Sequence, residues 1–112
     1  MAGQGERAKR GVLVTGATSG IGLVASRMLV EAGFRVFGGA FPGEDAEPLR
    51  AAGGTPVPLD VTDAASIARA RDEVQAQVGE EALWGLVNNA GIVGAAPIEY
   101  ADIAEMKRIF DV

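Results

Sequence analysis

Apolar residues follow two rhythms along this chain, short continuous runs and stripes spaced three or four residues apart, and the two alternate. Residues 11–15 (GVLVT) form a run closed by Gly16, which predicts a buried strand. From Gly20 the period lengthens, and Ile21, Val24, Ala25, Met28 and Leu29 fall on one helical stripe. Gly33 stands where a helix C-terminal glycine belongs, and residues 34–41 (FRVFGGAF) predict a second strand ended by Pro42 and Gly43. Asp45 to Ala52 predicts a short helix before a Gly53-Gly54 turn. Val57 and Leu59 mark a brief third strand, weakened by Pro56 and Pro58. Ile67, Ala70, Val74 and Val78 line one face of a helix from about Asp63 to Val78. Leu83 to Val87 predicts a fourth strand, running into Asn88-Asn89-Ala90-Gly91. A last helix starts at Ile98 or Asp102, with Ile103, Met106, Ile109 and Phe110 as its apolar side.

Strand and helix in strict alternation predict an α/β fold, a parallel sheet with helices on both faces. The 112 residues suffice for one domain, without internal repeat, low-complexity segment or interdomain linker. The last helix keeps its apolar face up to Val112 with no closing strand, which reads as a fragment.

Composition removes several chemistries. A chain 48% hydrophobic and 22% charged fits a soluble globular protein and not a disordered one. A net charge of -5 argues against a nucleic-acid binder, which needs a basic face. Arg7, Lys9 and Arg10 read as a solvated leader; a phosphate-reading arm would want a longer run. Without cysteine there is no disulfide and no thiolate nucleophile, and without histidine no imidazole acid–base pair and little basis for zinc. There is no apolar leader, and no stretch nears the ~20 apolar residues of a transmembrane span, so the expected location is the cytoplasm.

The chemistry concentrates in Thr15-Gly16-Ala17-Thr18-Ser19-Gly20-Ile21-Gly22, between the first strand and the first helix. A helix beginning there points unpaired N–H groups, and the positive end of its dipole, above the carboxyl end of the strand. An anionic pyrophosphate is the natural guest. Gly16 permits the sharp turn, Gly20 the approach of backbone to phosphate, and Gly22 close packing of helix on sheet. A P-loop would place lysine where Gly22 stands, and the spacing GxxxGxG also differs from GxGxxG. The bland alternative is a strand–helix turn that binds nothing.

TGATSGIG resembles the TGxxxGxG cofactor motif of the short-chain dehydrogenase/reductase family. Leu59-Asp60-Val61, Asn88-Asn89-Ala90-Gly91 and Phe110-Asp111-Val112 agree with that family in order and distance. The wording LWGLVNNAGI further resembles its retinol, hydroxysteroid and hydroxybutyrate dehydrogenase branch. The resemblance implies a Rossmann-type doubly wound sheet with strand order 3-2-1-4 here and the remaining strands absent. Residues 1–112 are then the N-terminal half of a single dinucleotide-binding domain.

It also implies a site. Thr15, Gly16, Thr18, Ser19, Gly20, Ile21 and Gly22 would meet the cofactor at the glycine turn, and Ala40 and Phe41 at the end of the second strand. Asp60 would accept a hydrogen bond from the adenine amino group, with Val61 beside it. Asn89, Ala90 and Gly91 would lie along the adenine ribose, Ile92 would pack against the cofactor, and Asn88 would tie neighbouring strands together by side-chain-to-backbone bonds. On its own residues, Asp60 reads instead as an ordinary turn residue beside a helix start.

The resemblance implies NAD or NADP as the cofactor. An acidic residue at the end of the second strand would favour NAD, but that position falls on Ala40. The places where NADP users carry Arg or Lys hold Phe41 and Ser19, and Glu44 and Asp45 would disfavour a 2′-phosphate if they face it. NAD is the expected preference.

The family's catalytic Ser, Tyr and Lys act with an Asn of the fourth helix, and its Tyr and Lys are spaced YxxxK. Tyr100 has Ala104 at the lysine position, so no catalytic residue is assigned and this chain alone is expected to be inactive. Tyr100 is expected to pack near the cleft or at the surface without an acid role, and with Pro97 and Ile98 to rim the substrate pocket. Trp84 reads as a packing residue, and Arg69, Arg71, Asp72 and Glu73 as a solvated face. The expected activity is hydride exchange between the nicotinamide cofactor and a small-molecule secondary alcohol or ketone, in a full-length homo-oligomer. The alternative is a noncatalytic dinucleotide-binding or sensor module; a YxxxK beyond Val112 with a Ser before it would decide for the enzyme.

Overall fold

The computed structural model describes residues 9–112, and Arg7 of the basic leader lies outside the described residues. Strands β1 (Gly11–Val14), β2 (Arg35–Ala40), β3 (Thr55–Pro58) and β4 (Leu83–Val87) alternate with helices α1 (Gly20–Glu31), α2 (Glu47–Ala51), α3 (Ala64–Val78) and α4 (Ile103–Asp111). Short 3-10 turns at Gly79–Glu81 and Ile98–Tyr100 precede β4 and α4. Every strand pair is parallel, in the order β3-β2-β1-β4, as expected. The chain thus steps outward from β1 to β3 and returns to the other side of β1. That reversal leaves a crevice beyond the carboxyl ends of β1 and β4, the place where open α/β sheets bind ligands.

Side chains alternating along the central strands build two cores. Val12, Val14 and Val36 turn to one face and pack with Ala17, Leu49 and the α1 residues Leu23, Leu29 and Val30. Leu13 and Phe37 turn to the other and meet Val57, Leu59, and Ala70 and Val74 of α3. The register puts Val12 beside Val36 and Leu13 beside Phe37, so a strand covered on both faces reads as an unbroken apolar run.

One device returns two helices to the sheet. After α1, Gly33 (φ 97°) donates to the Val30 carbonyl and Phe34 to that of Leu29, both at 3.0 Å. After α2, Gly53 (φ 93°) donates to Arg50 and Gly54 to Leu49, at 2.9 and 3.0 Å. Both are Schellman turns, in which a left-handed glycine satisfies the last carbonyls and reverses the chain.

The buried helix faces differ from those read off the apolar stripes. On α1, Ile21 (80% exposed), Val24 and Met28 face outward, while Gly22 and Ser26 are buried against the sheet. Small residues let this helix approach β1 closely, and the Ser26 hydroxyl donates to the Gly22 carbonyl at 2.7 Å, so its burial leaves no polar group unpaired. On α3, Ile67 is exposed and Ser66 is buried beside Ala70 and Val74. On α4, Ile103 and Phe110 are exposed, and only Met106 and Ile109 of the expected apolar side are half-buried.

The prolines of β3 fit its place at the margin of the sheet. Leu59 N–H points inward to the Ala40 carbonyl at 2.9 Å, so by strand alternation positions 56 and 58 aim their nitrogens away from β2. At the opposite margin β4 carries an irregularity. Gly11 pairs with Leu83 but Val12 with Gly85, so Trp84 is bulged out. Trp84 packs on Phe34 (centroids 5.3 Å apart) beneath the Arg10 guanidinium, yet stays 59% exposed. Arg69, Arg71, Asp72 and Glu73 are exposed, as read, and Arg71 pairs with Asp72 at 3.1 Å. No helix among the described residues is long and apolar enough to cross a membrane.

Candidate functional site

The glycine-rich segment leaves β1 at Thr15 and is fixed before it becomes a helix. Thr15 N–H donates to the Val87 carbonyl at 3.0 Å, and its hydroxyl oxygen accepts the backbone N–H groups of Asn89 and Ala90, each at 2.9 Å. Asn89 answers through its side-chain amide, which donates to the carbonyls of Thr15 and Gly16 at 3.1 and 3.2 Å. Ala17 N–H reaches the Gly39 carbonyl of β2 at 3.0 Å. The ends of β2, β1 and β4 are thereby bound into one rigid floor.

The strand-tying role expected of Asn88 belongs to Asn89. Val87 faces α1, so the next side chain points to the α3 face, where Asn88 lines an apolar groove of about 380 Å³ with Leu13, Ile67 and Leu86. One residue further along, the chain again faces the glycine segment.

Gly22 packs so closely that a Cβ there would sit 2.1 Å from the Gly16 carbonyl oxygen. Gly20 is the reverse case. Its φ is +56° and a Cβ would meet nothing within 4 Å, so its surface faces open space. Ser19 is the N-cap of α1 but makes no side-chain cap bond, and the first turn holds no acidic residue. The first backbone bond into the helix is from Leu23 N–H to the Ser19 carbonyl at 3.2 Å. The preceding N–H groups of α1 point out of the helix end, a ready site for an anion. Helices α3 and α4 differ, since Asp63 accepts from Ala65 N–H and Asp102 from Ala104 N–H.

Above this floor lies a cleft of about 630 Å³. Of the residues expected there, Gly16, Thr18, Ser19, Ile21, Phe41, Asp60, Val61, Asn89, Ala90, Gly91 and Ile92 line it. Thr15 is buried beneath it, and Gly20 and Gly22 belong to the adjoining turn. Ala40 is buried in β2 at the level of Pro58, outside the lining. Pro97, Ile98 and Tyr100 stand exposed away from the lining, and Tyr100 takes no part in it.

Asp60 does what a turn residue does and also faces the cleft. One carboxylate oxygen, Oδ1, accepts the Thr62 hydroxyl at 2.6 Å and the Thr62 N–H at 2.9 Å. The Thr62 hydroxyl, and after it the Thr62 N–H, hold its carboxyl below the ordinary carboxylate range. Its own N–H donates to the Ser66 hydroxyl at 2.9 Å, anchoring the turn to α3.

Two lining residues carry chemistry that pattern alone does not place. Glu44 is drawn into the cleft wall by Thr18 and the Phe41 backbone. Arg108 of α4 also lines it, its guanidinium gripped by Glu105 one helical turn earlier. The Glu105 carboxylate raises the Arg108 pKa, and the Arg108 hydrogen bond in turn lowers that of Glu105. Nothing in the apolar pattern marks Arg108; the i, i+3 charge pair was the available signal.

The sequence profile of the short chain dehydrogenase family matches residues 10–112. Human dehydrogenase/reductase SDR family member 9 is 36% identical over 110 residues, covering 90% of this chain and 33% of that protein. The 17-beta-hydroxysteroid dehydrogenase type 6 of Rattus norvegicus is 39% identical over 105 residues, again 90% of this chain and 33% of the relative. Among solved structures, NADPH-bound carbonyl reductase from chicken fatty liver superposes with a TM-score of 0.80 at 33% identity, over 92% of this chain and 42% of the reductase. The chain spans about a third of the length of the two relatives.

Proposed function

The chain belongs to the short chain dehydrogenase family, and from that we propose that residues 1–112 form the N-terminal half of a dinucleotide-binding domain in an NAD(P)-dependent oxidoreductase. One observation carries the reading. The uncapped N-terminus of α1, with Gly20 facing open space, stands over a cleft whose floor is locked by Thr15 and Asn89.

Those features suit a dinucleotide. The free N–H groups of α1 would receive the pyrophosphate, with Gly20 admitting it to the backbone. Asp60 and Val61 would face the adenine, and Asn89, Ala90 and Gly91 the adjoining ribose, while Ile92 offers an apolar surface. Asp60 keeps Oδ2 free for an adenine amino group because Thr62 occupies only Oδ1. A nicotinamide dinucleotide bound there supplies the hydride acceptor or donor for a secondary alcohol or ketone. None of the described residues is assigned to the acid–base step of that exchange. This chain's part is to bind, orient and hold the cofactor on a rigid floor.

The test is titration of the full-length protein with NADH and NADPH by calorimetry, followed by turnover on secondary alcohols and ketones. Binding of neither dinucleotide would overturn the reading. Binding without turnover across a broad substrate panel would favour a noncatalytic module instead.

A further inference from the structure

The strand end that commonly selects between NAD and NADP is silent here, since Ala40 is a buried methyl outside the cleft lining. We propose that Glu44 makes the selection, its carboxylate accepting the adenosine ribose hydroxyls and rejecting a 2′-phosphate. This rests on the reading of the cleft as a dinucleotide site.

The geometry is built by a turn. Glu44 N–H donates to the Phe41 carbonyl at 3.0 Å, with Gly43 between them at φ 92°, and the fold-back carries the Glu44 side chain over the end of β2. One carboxylate oxygen, Oε1, accepts the Phe41 N–H, and the other, Oε2, accepts the Thr18 hydroxyl, both at 3.1 Å. Thr18 is only 7% exposed, so the partner that holds Oε2 is itself fixed. The carboxylate therefore bridges the glycine turn and the second strand, between the residues that would meet the phosphates and those that would meet the adenosine.

A carboxylate offers about four lone-pair positions. The two bonds described occupy two, which leaves acceptor capacity for a pair of ribose hydroxyls. A 2′-phosphate has acceptor oxygens in place of that hydroxyl, and a charge of about -1.5 to -2. It would meet a negative group to which the Thr18 hydroxyl and the Phe41 N–H are already committed. Among the described residues lining the cleft the one cation is Arg108, and Glu105 already holds its guanidinium.

The experiment is equilibrium binding to the full-length protein, wild type and E44Q, with NADH, NADPH, ADP and adenosine 2′,5′-bisphosphate as probes. The wild type should bind NADH at least tenfold more tightly than NADPH, and ADP at least tenfold more tightly than the bisphosphate. In E44Q, with E44A as a second variant, the NADPH-to-NADH ratio of Kd should fall at least tenfold, chiefly through tighter NADPH binding. Thermal melting establishes that each variant is folded; if neither folds, the wild-type ratios decide. Wild-type ratios near one or favouring the 2′-phosphate would overturn the role of Glu44 and leave the dinucleotide site standing. So would an unchanged ratio in a folded variant. Failure of the wild type to bind any of the four probes would overturn both.

Discussion

Asn89 donates its side-chain amide to the carbonyl of Thr15 at 3.1 Å, while the Thr15 hydroxyl oxygen accepts the Asn89 backbone N–H at 2.9 Å. Each residue completes the other across the junction of β1 and β4. Thr15 is buried beneath the cleft and Asn89 lines it; together they set the shape on which a ligand would rest.

Thr15→Val should therefore weaken the floor, because Ala90 N–H loses its acceptor and Asn89 N–H keeps only the Val87 carbonyl at 3.1 Å. A buried donor left unpaired costs about 1–3 kcal/mol. Urea unfolding of the full-length protein should show a loss in that range, with Thr15→Ser close to wild type. Equal stability of the valine variant would mean that water replaces the hydroxyl without loss.

Gly20→Asp should abolish dinucleotide binding, because it brings a carboxylate to the open end of α1. The left-handed φ adds a strain of roughly 1–2 kcal/mol for any L side chain. Gly20→Ala shares the strain without the charge and separates the two effects. Calorimetry should find measurable binding in Gly20→Ala and none in Gly20→Asp; unchanged affinity in the aspartate variant contradicts the placement of the pyrophosphate.

Leu49 tests the packing behind the site. It is wholly buried and fills the space above Gly38, where a Cβ would come within 2.2 Å of its side chain. Leu49→Ala should cost about 2–5 kcal/mol, the range for emptying such a position. Chemical denaturation gives the value, and a loss under 1 kcal/mol would mean that the site collapses around the smaller side chain.

Asp60 provides a pH signature. Its folded pKa is lowered, first by the Thr62 hydroxyl and then by the Thr62 N–H. The sign follows: the ionised group stabilises the fold above its unfolded pKa of about 3.9, and that contribution is lost as pH falls through the lower folded value. Carboxyl NMR should find Asp60 titrating below an ordinary aspartate, and Thr62→Val should move it upward. No upward movement would mean that the hydroxyl contributes nothing to it.

Much of the architecture was legible because it follows from local rules. The apolar runs of β1, β2 and β4, and Gly33 as a helix stop, lie within a residue or so of where the pattern puts them. The helix faces were not legible in the same way. A hydropathy stripe selects Ile21, Val24 and Met28, but close packing selects the small residues Gly22 and Ser26, and smallness has no hydropathic signal. Asn88 and Asn89 are chemically identical, so only the parity of the strand distinguishes them, and the bulge at Trp84 shifts that parity. Most of the residues expected at the cleft do line it, since a motif fixes backbone position well. Glu44 was visible as a nearby charge; what brings it to Thr18 is a turn and not a spacing.

Expressed alone, residues 1–112 should self-associate and show no dehydrogenase turnover. Leu86 and Phe110 are exposed, and β4 lies at the margin of the sheet with one row of backbone groups unpaired within it. Each such apolar side chain forgoes roughly 1.5–3 kcal/mol relative to burial, a large share of a margin of about 5–15 kcal/mol. Size-exclusion chromatography, thermal melting and a dehydrogenase assay check this; a monomer with one sharp transition would contradict it.

The prolines of β3 make the sheet a structure that can grow in one direction only. A strand arriving beside β3 would need amide hydrogens from positions 56 and 58, and both nitrogens are closed into rings. The opposite rim, at β4, has no such block, so any strand added to this sheet, from the same polypeptide or from another molecule, is directed there. Pro56 and Pro58 thus act as a terminus for lateral assembly, sealing one flank while the other stays open to recruitment.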